Sequence, residues 1–376
     1  SASWPRFRGP RFDNIQDVPT PLVDQLPEQG LPLVWEIELG EGHAAAVVHQ
    51  GRVYVLDYLE AERADMLRCF SFADGRELWR RGYRVHIKRN HGMSRTIPAV
   101  TDRWVVSMGP ECHVMCVDAA TGDFQWGIDL VAAYGAKVPL WYTGQCPFID
   151  GDVAVLAPGG EALMIGVDCE TGAILWQTPN PDGWKMSHSS IIPMLLHGRR
   201  MYVYCAVGGM VGVAADGPDR GRALWRTPAF NRTVVAPSPV LLPGNRIFIT
   251  AGYGGGSAVL AIRKTPEGYE AVVEQEIATR GGLASEQQTP ILFGDRLFAI
   301  LPKDAGALRQ QFVCVDPNDI TTVLWSSGKT SRFGLGPYLM ADGKFLILSD
   351  DGELTMLQAA PMGYIERGRA RILNGP

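Results

Sequence analysis

The chain has 376 residues, of which 46% are hydrophobic and 20% are charged, and its net charge is −5. This composition is typical of a globular protein and excludes a disordered chain. The sequence has no Lys/Arg-rich block and no run of 18 apolar residues, so we expect neither a nucleic-acid partner nor a transmembrane helix. Its 43 glycines and 26 prolines are spread along the chain, which predicts many short strands joined by turns.

A turn motif with a tryptophan at its end repeats about every 47–50 residues. The two fullest copies have the pattern Asp-x-x-Thr-Gly-x-x-x-Trp, and they run from Asp118 to Trp126 and from Asp168 to Trp176. Weaker copies end at Trp79, Trp225 and Trp325. The missing copy falls near residue 274, where residues 270–273 are predicted to form a strand without a tryptophan.

A second repeat, a tight turn followed by a β-branched or aromatic strand, runs in phase with the first. Its turns lie at Gly51, Asp102, Gly151, Gly198, Asn245, Asp295 and Gly343. Each repeat therefore predicts four antiparallel strands, which is one blade of a β-propeller.

The motif residues have separate physical roles. A tryptophan ring on the outer strand can bury roughly 150–250 Å² against a neighbouring blade. The glycine four residues earlier permits a positive φ in the turn, and the Asp and Thr side chains can bond to the turn backbone.

Three of the seven cysteines occupy equivalent positions in this repeat. Cys69, Cys116 and Cys314 each lie two residues before the motif, and we expect them to be small buried residues on equivalent strands. Cys112 lies outside this register and could pair with Cys146 or bind a metal. The cysteines alone do not identify the compartment.

The strand count determines the predicted architecture. Residues 34–39 are predicted as an isolated outer strand, and residues 365–373 as the last outer strand, which gives eight outer strands but seven sets of inner strands. We therefore predict an all-β, eight-bladed propeller with seven full blades, an N-terminal closing strand and an incomplete last blade. Its missing strands are expected after Pro376; the alternative is seven blades, one of them five-stranded. The predicted domains are an N-terminal arm, residues 1–33, and one propeller, residues 34–376.

The repeats resemble those of the pyrroloquinoline-quinone (PQQ) propeller superfamily, whose tryptophan-docking motif is matched at residues 118–126 and 168–176. The opening residues 4–10, Trp-Pro-Arg-Phe-Arg-Gly-Pro, are similar to the start of exported PQQ-like proteins of planctomycetes. The resemblance implies a periplasmic or extracellular protein whose signal peptide has been removed. It implies two function classes, namely PQQ- and calcium-dependent dehydrogenases and cofactor-free scaffolds such as the outer-membrane assembly lipoprotein. The adjacent cysteine pair of the PQQ alcohol dehydrogenases is missing here, so neither PQQ nor a metal is supported by a complete motif.

Polar residues concentrate just before the inner strand of consecutive blades, where propellers usually bind ligands. We predict catalytic roles for His91, Arg95, Tyr142 and His188, because His and Tyr can transfer protons and Arg can pair with an anion. The predicted ligand-binding residues are His43, Ser94, Gln145, Cys146, Ser190, Gln287 and Gln288. The alternative is that these polar side chains simply bond to water in a channel.

Two functions follow from this pattern. The first is an exported propeller that binds a small polar or anionic ligand or a glycan, as an oxidoreductase or a carbohydrate-active enzyme. The second is a cofactor-free scaffold that binds a protein partner at the incomplete blade. Convergence of His43, His91, His188 and Cys146 on a zinc or copper ion is a further hypothesis.

Overall fold

Short strands make up almost all of the regular structure in the computed structural model, which describes residues 3–17 and 21–373. Helix in these residues is limited to α1 (Leu130–Tyr134) and a single 3-10 turn (Gly306–Leu308). Neither is long and apolar enough to cross a membrane. The chain divides into two compact units. Unit 1 holds residues 3–10 and 34–233, and unit 2 holds residues 11–17, 21–33 and 234–373.

The strands are named in chain order, and the first, β1 (Ile15–Gln16), belongs to unit 2. Unit 1 contains four sheets. Sheet 1 comprises β2 (Val47–His49), β3 (Arg52–Leu59), β4 (Ala64–Ser71) and β5 (Glu77–Arg84). Sheet 2 comprises β6 (Ala99–Val100), β7 (Trp104–Met108), β8 (His113–Asp118) and β9 (Phe124–Asp129). Sheet 3 comprises β10 (Phe148–Asp150), β11 (Val153–Leu156), β12 (Ala162–Asp168) and β13 (Ile174–Pro179). Sheet 4 comprises β14 (Ile192–Leu196), β15 (Arg199–Ala206), β16 (Gly209–Ala214) and β17 (Ala223–Thr227).

Unit 2 contains three sheets. Sheet 5 comprises β18 (Val240–Leu242), β19 (Arg246–Ala251), β20 (Gly256–Thr265) and β21 (Gly268–Ile277). Sheet 6 comprises β22 (Ile291–Phe293), β23 (Arg296–Ile300), β24 (Phe312–Asp316) and β25 (Asp319–Ser326). Sheet 7 comprises β26 (Tyr338–Ala341), β27 (Lys344–Leu348), β28 (Glu353–Gln358) and β29 (Ile365–Arg371). It gains β1 as a fifth strand, parallel to β26.

Every sheet contains an antiparallel meander of four strands that follow one another in the sequence. This arrangement confirms the predicted all-β propeller of four-stranded blades. The predicted hairpin turns and the strand without a tryptophan, within β21, are also present. The described residues form seven sheets, so the count of eight blades stays a prediction.

The prediction for residues 34–39 was wrong in one respect, because these residues form no strand. Exposed and half-buried side chains alternate along the segment, as they would along a strand. Trp35 and Ile37 are half-buried against Val53, Val55 and Phe70 of sheet 1, while residues 34, 36 and 38 are exposed. Its backbone has no neighbouring strand among the described residues, and a strand is defined by such a partner.

The tryptophans of unit 1 hold neighbouring sheets together by docking on glycine. A methyl group at Gly122 in the turn of sheet 2 would lie 2.5 Å from the Trp79 ring of sheet 1. The same relation, at 2.8 Å, joins Gly172 of sheet 3 to Trp126 of sheet 2. Trp35 docks on sheet 1 in the same way, and its Nε1 donates to the Phe72 carbonyl at 2.9 Å. The glycine is therefore required twice, for its positive φ and for its missing side chain.

The other motif residues behave as predicted. Asp118 Oδ1 accepts hydrogen bonds from the Ala120 and Thr121 amides, both at 2.8 Å. Asp168 Oδ1 makes the equivalent bonds to Glu170 and Thr171. These bonds fix the turn that presents the glycine to the neighbouring ring.

The register of the cysteines has a packing reason. Cys69, Cys116 and Cys314 lie directly opposite Trp79, Trp126 and Trp325 on the paired strand, and glycines take this place opposite Trp176 and Trp225. A small residue is needed there because the indole folds back over the strand. All three cysteines are fully buried, as predicted, and burial raises the pKa of Cys69 to about 12.

Two glycine substitutions separate docking from backbone strain. Gly122 and Gly198 have φ values of 75° and 74°, but a methyl group at Gly198 would meet nothing within 4 Å. We expect Gly198→Ala to lower the free energy of unfolding by about 1–2 kcal/mol, the usual cost of a left-handed alanine. Gly122→Ala adds overpacking against Trp79 and costs about 1–3 kcal/mol more. Urea unfolding of both variants measures the difference, and equal losses would contradict the docking role.

Candidate functional site at the lead-in segments

The predicted site residues of unit 1 lie on four stretches that lead into the inner strands β2, β6, β10 and β14. We call residues 42–46, 91–98, 141–147 and 185–191 the lead-in segments. Hydrogen bonds donated by main-chain amides join neighbouring segments. The His43 amide donates to the Ser94 carbonyl at 2.7 Å, and the Cys146 amide donates to Ser190 Oγ at 2.9 Å. The structure therefore brings together all the predicted residues except Gln287 and Gln288, which belong to unit 2.

Arg95 joins the second and third lead-in segments. Its guanidinium donates to the carbonyls of Asn90 and His91, at 2.9 and 2.8 Å, and also to the carbonyl of Trp141. One side chain thus holds two loops in place. Arg95 is a positioning residue in this geometry, because these bonds go to main chain of its own unit.

Three of the residues held in this way have left-handed backbone conformations. His91, Trp141 and Tyr142 have φ values of 55°, 61° and 73°. Such conformations are unfavourable for residues with large side chains and persist only where surrounding contacts impose them. Besides Arg95, the Tyr142 hydroxyl contributes by donating to the Lys88 carbonyl. Strained residues of this kind cluster at functional sites.

The three histidines differ in their environment. His43 and His91 are exposed, and His43 Nε2 lies 3.0 Å from the His91 carbonyl. His188 is half-buried, and its Nε2 donates to the Leu140 carbonyl at 2.5 Å. Burial lowers the pKa of His188, and the nearby Arg95 charge adds to this effect, so the ring is neutral at pH 7. The His91 imidazole is exposed and forms no hydrogen bond or ion pair with a described residue, so it is accessible to a ligand.

Tyr142 is held as a neutral phenol. Burial raises its pKa, and the Glu111 carboxylate acts in the same direction. Because the Tyr142 hydroxyl donates its hydrogen bond to the Lys88 carbonyl, the phenol stabilises the loop in this structure and does not face a substrate.

Gln145, Cys146, Ser94 and Ser190 are all buried. Gln145 bonds to both main-chain groups of Ala157, at 3.0 and 2.9 Å. Burial raises the pKa of the Cys146 thiol to about 11, so it is protonated at neutral pH. Ser94 Oγ is buried without a hydrogen-bond partner in the described residues. These four buried side chains stabilise the lead-in segments.

The proposed convergence on a metal ion is not formed. No three His, Cys, Asp or Glu side chains in residues 3–17 and 21–373 lie together as ion ligands. His43 and His188 direct Nε2 at carbonyls, while Cys146 Sγ accepts from the Ile97 amide at 3.3 Å. The Cys112–Cys146 pairing is also not formed, because both are free thiols and Cys112 Sγ lies 3.2 Å from Thr143 Oγ1.

The same side chains do not fit a calcium-bound PQQ. Such a group needs carboxylate and amide oxygens around the cation. Gln145 is the one predicted site residue in the lead-in segments that has an amide side chain, and that amide is hydrogen-bonded to the main chain of Ala157. We therefore derive no reaction step through this cofactor.

Gln287 and Gln288 occupy a separate place in unit 2. Gln287 is exposed, and the Gln288 carbonyl accepts from Ser285 Oγ at 2.6 Å. Beside them Glu286 is buried, with Lys303 Nζ 3.2 Å from its Oε1. This ion pair, rather than the two amides, is the distinctive feature of that segment.

Sequence reasoning missed a buried acid in sheet 1. Asp65 is the second residue of β4 and is 1% exposed, and the Tyr83 hydroxyl donates to its Oδ2 at 2.5 Å. Because β4 runs parallel to β2, Asp65 lies at the same end of the sheet as the first lead-in segment. Burial raises the pKa of Asp65 to about 7, against the opposing effect of the Tyr83 hydrogen bond. The signal in the sequence is an acid between the apolar residues Ala64 and Met66.

Comparison with known proteins relates the chain to two groups. A family model described as outer membrane protein assembly factor BamB matches residues 62–320. No curated protein matches the sequence.

Three solved structures are similar. BamB from Moraxella catarrhalis is 13% identical, with a TM-score of 0.56 over 89% of this chain and 92% of that chain. A europium-containing methanol dehydrogenase is 11% identical, with a TM-score of 0.66 over 100% and 86%. A quinohemoprotein alcohol dehydrogenase from Comamonas testosteroni is 13% identical, with a TM-score of 0.63 over 99% and 73%. At these identities the likeness shows the fold alone.

The buried acid predicts a pH dependence of stability. An unfolded aspartate titrates near pKa ~3.9. Between about pH 4 and pH 7 the folded protein keeps the Asp65 proton that the unfolded chain releases, so stability falls as pH rises through this window. The Asp65→Asn variant should not lose this stability as the pH rises. Its free energy of unfolding relative to wild type should therefore rise by on the order of 3–4 kcal/mol between pH 4 and pH 8.

Urea unfolding at a series of pH values measures this difference. Asp168→Asn is the control, because hydrogen bonds from Thr171 lower the pKa of Asp168, so its effect on stability has the opposite sign and falls at acidic pH. Parallel profiles for Asp65→Asn and wild type would contradict a raised Asp65 pKa.

Proposed function

The chain belongs to the PQQ-like β-propeller family that the assembly-factor model describes, and from this premise we propose that it is an exported protein that binds a small anionic ligand at the lead-in segments of sheets 1 to 4. The proposal concerns recognition. The polar atoms of Arg95, Tyr142 and His188 are bonded to carbonyls, and these residues hold the surface on which the ligand binds.

The observation that carries the proposal is the group of left-handed residues fixed by Arg95. Strain of about 1–3 kcal/mol per residue is retained where it serves a function. In this case it presents the His91 imidazole outward, next to His43. Preformed donors reduce the ordering cost of binding, which favours affinity for a small ligand.

The local charge supports an anion. Lys88 and Lys137 lie on the loops that carry His91 and Trp141, and Lys185 begins the fourth lead-in segment. All three are exposed, and none forms an ion pair with a described residue. Arg89 is paired with Glu41 at 2.6 Å. A cationic surface on a protein of net charge −5 is an attractive field for a carboxylate or phosphate.

Titration with citrate, followed by the imidazole signals of the histidines in NMR spectra, tests the proposal. We expect saturable shifts at His43 and His91. His91→Asn keeps a residue that tolerates φ near 55° and removes the imidazole, so citrate binding should weaken about tenfold, the cost of one hydrogen bond to a charged group.

His197→Asn is the matched control, because His197 also has a left-handed backbone, with φ of 51°, but lies in a hairpin turn of sheet 4. This variant should bind citrate as the wild type does. Equal weakening in the two variants, or shifts of equal size at all seven histidines, would contradict a site at the lead-in segments.

A second candidate function is a protein-binding scaffold, and residues 34–39 favour it. This segment is extended and anchored by Trp35, yet its backbone pairs with no strand among the described residues. An unpaired edge of this kind can accept a strand from a partner. The match to a BamB family model is in keeping with such a role.

A photocrosslinking residue at position 36 tests the scaffold function in cells. Glu36 is exposed on the unpaired segment, and Glu60, exposed in the β3–β4 hairpin, is the control position. We expect one defined protein adduct at position 36 and none at position 60. Identical adducts at both positions, or none at either, would count against a partner at this edge.

A further inference from the structure

The junction of sheets 2 and 3 has a cysteine on each side of the docked tryptophan. Cys116 of β8 lies directly opposite Trp126 on the paired strand. Cys169 follows β12 and belongs to the turn of sheet 3 that presents Gly172 to the Trp126 ring. Trp126 Nε1 donates to the Cys169 carbonyl at 2.8 Å. The docking contact therefore brings one thiol from each sheet to the same indole.

The two cysteines are also in direct contact with each other. Cys116 Sγ donates to the Cys169 carbonyl at 3.5 Å. The Cys169 side chain is a hydrogen-bond neighbour of the Cys116 thiol, and this contact, together with burial, raises the pKa of Cys116. Both side chains are fully buried, and both are free thiols in this structure. Contact between the thiols is the geometric condition for a disulfide, which cannot bridge cysteines whose side chains point apart.

The equivalent junctions of unit 1 are packed without a second thiol. At each junction, one residue lies opposite the docked tryptophan, and the other directly follows the third strand of the next sheet. These residues are Cys69 and Ala119 between sheets 1 and 2, and Gly166 and Ala215 between sheets 3 and 4. The amides of Ala119, Cys169 and Ala215 all donate to a carbonyl beside the start of the second strand, which confirms their equivalence. Alanine therefore satisfies the packing at this place, and the Cys169 thiol is not required for it.

We propose that Cys116 and Cys169 are a modification site, and that they form a disulfide between sheets 2 and 3 when the chain folds in the presence of a low-molecular-weight disulfide. The site is independent of the proposed anion surface, because neither cysteine belongs to a lead-in segment. Sheets 2 and 3 are also the sheets whose lead-in segments Arg95 joins through the Trp141 carbonyl. The disulfide would fix the same two sheets covalently beside Trp126.

The bond forms in two steps of thiol–disulfide exchange. The thiolate of one cysteine attacks a sulfur of oxidised glutathione, which gives a mixed disulfide and releases one glutathione thiolate. The thiolate of the other cysteine then attacks the protein sulfur of this mixed disulfide and releases the second glutathione. The two protein thiols lose two protons and two electrons in total, and the electrons reduce one oxidised glutathione to two molecules of glutathione.

Burial determines when this exchange can take place. The reaction needs a thiolate and access to the sulfur, and in the folded protein both thiols are buried and the pKa of Cys116 is raised. The exchange therefore belongs to folding, before sheets 2 and 3 enclose the two sulfurs. After folding, the same burial keeps a reductant away from the bond, so the disulfide is a structural one.

Refolding of the full chain from urea tests the proposal, with reduced and oxidised glutathione in the dilution buffer. The refolded protein is then denatured without reductant, and its free thiols are alkylated with iodoacetamide. We expect two of the seven cysteines to escape alkylation, and a protease digest to contain a Cys116 peptide linked to a Cys169 peptide. Dithiothreitol should reduce this bond more slowly in the folded protein than in urea, by roughly tenfold or more.

Cys169→Ala and Cys69→Ala are the matched variants. Cys169→Ala introduces the residue that the equivalent positions 119 and 215 have, so it should refold with Cys116 open to alkylation. Cys69→Ala removes the equivalent cysteine of sheet 1, which faces Ala119 across its junction, and it should keep the link between Cys116 and Cys169.

The proposal is overturned if all seven cysteines of the refolded wild type are alkylated, if a different pair is linked, or if Cys116 or Cys169 retains glutathione. Equal rates of reduction in the folded protein and in urea would also overturn it, because they would place the bond outside the buried junction. Cys116→Ala gives the same test from the other side of the junction, which keeps the test decisive if Cys169→Ala does not refold.

Discussion

The structure of unit 1 depends on one contact, the docking of an indole on a bare glycine in the next sheet. The contact sets the spacing between sheets, because the ring of Trp79 occupies the volume that a side chain at Gly122 would fill. It also constrains the strand beneath the ring, where only cysteine or glycine is found opposite the tryptophan. The packing between sheets is therefore fixed at the outer strands, and the inner strands are free to vary in sequence.

This freedom explains where the candidate site lies. Each inner strand is short, two to five residues in unit 1, and its ends are loops whose conformation the sheet does not impose. At one end, Arg95 replaces sheet hydrogen bonds with bonds to loop carbonyls. At the other end, residues 3–10 take this role through their bonds to Val48 and Val100. Both ends are built from polar contacts to main chain, which position side chains without filling the space between them.

The fold was predictable from the sequence because its determinants are local and repeated. The tryptophan, the glycine four residues earlier and the Asp-Thr turn each recur with one period, so the strands and the buried cysteines followed. Residues 34–39 show the limit of this reasoning. Their alternation is that of a strand and Trp35 docks as expected, but pairing depends on a neighbouring backbone that the residues themselves do not specify.

The candidate site was only partly predictable, for a physical reason. Its residue types indicated chemistry, yet most of the partners are carbonyls, which every residue has and no sequence pattern reveals. Asp65 was missed for a different reason: its hydrogen-bond partner, Tyr83, is a side chain 18 residues away in the sequence. What distinguishes a recognition surface from a catalytic one is which polar atoms remain unpaired once the main chain is satisfied. By that criterion the open groups of unit 1 include the exposed His91 imidazole and the exposed ammonium groups of Lys88, Lys137 and Lys185, which are suited to binding an anionic ligand.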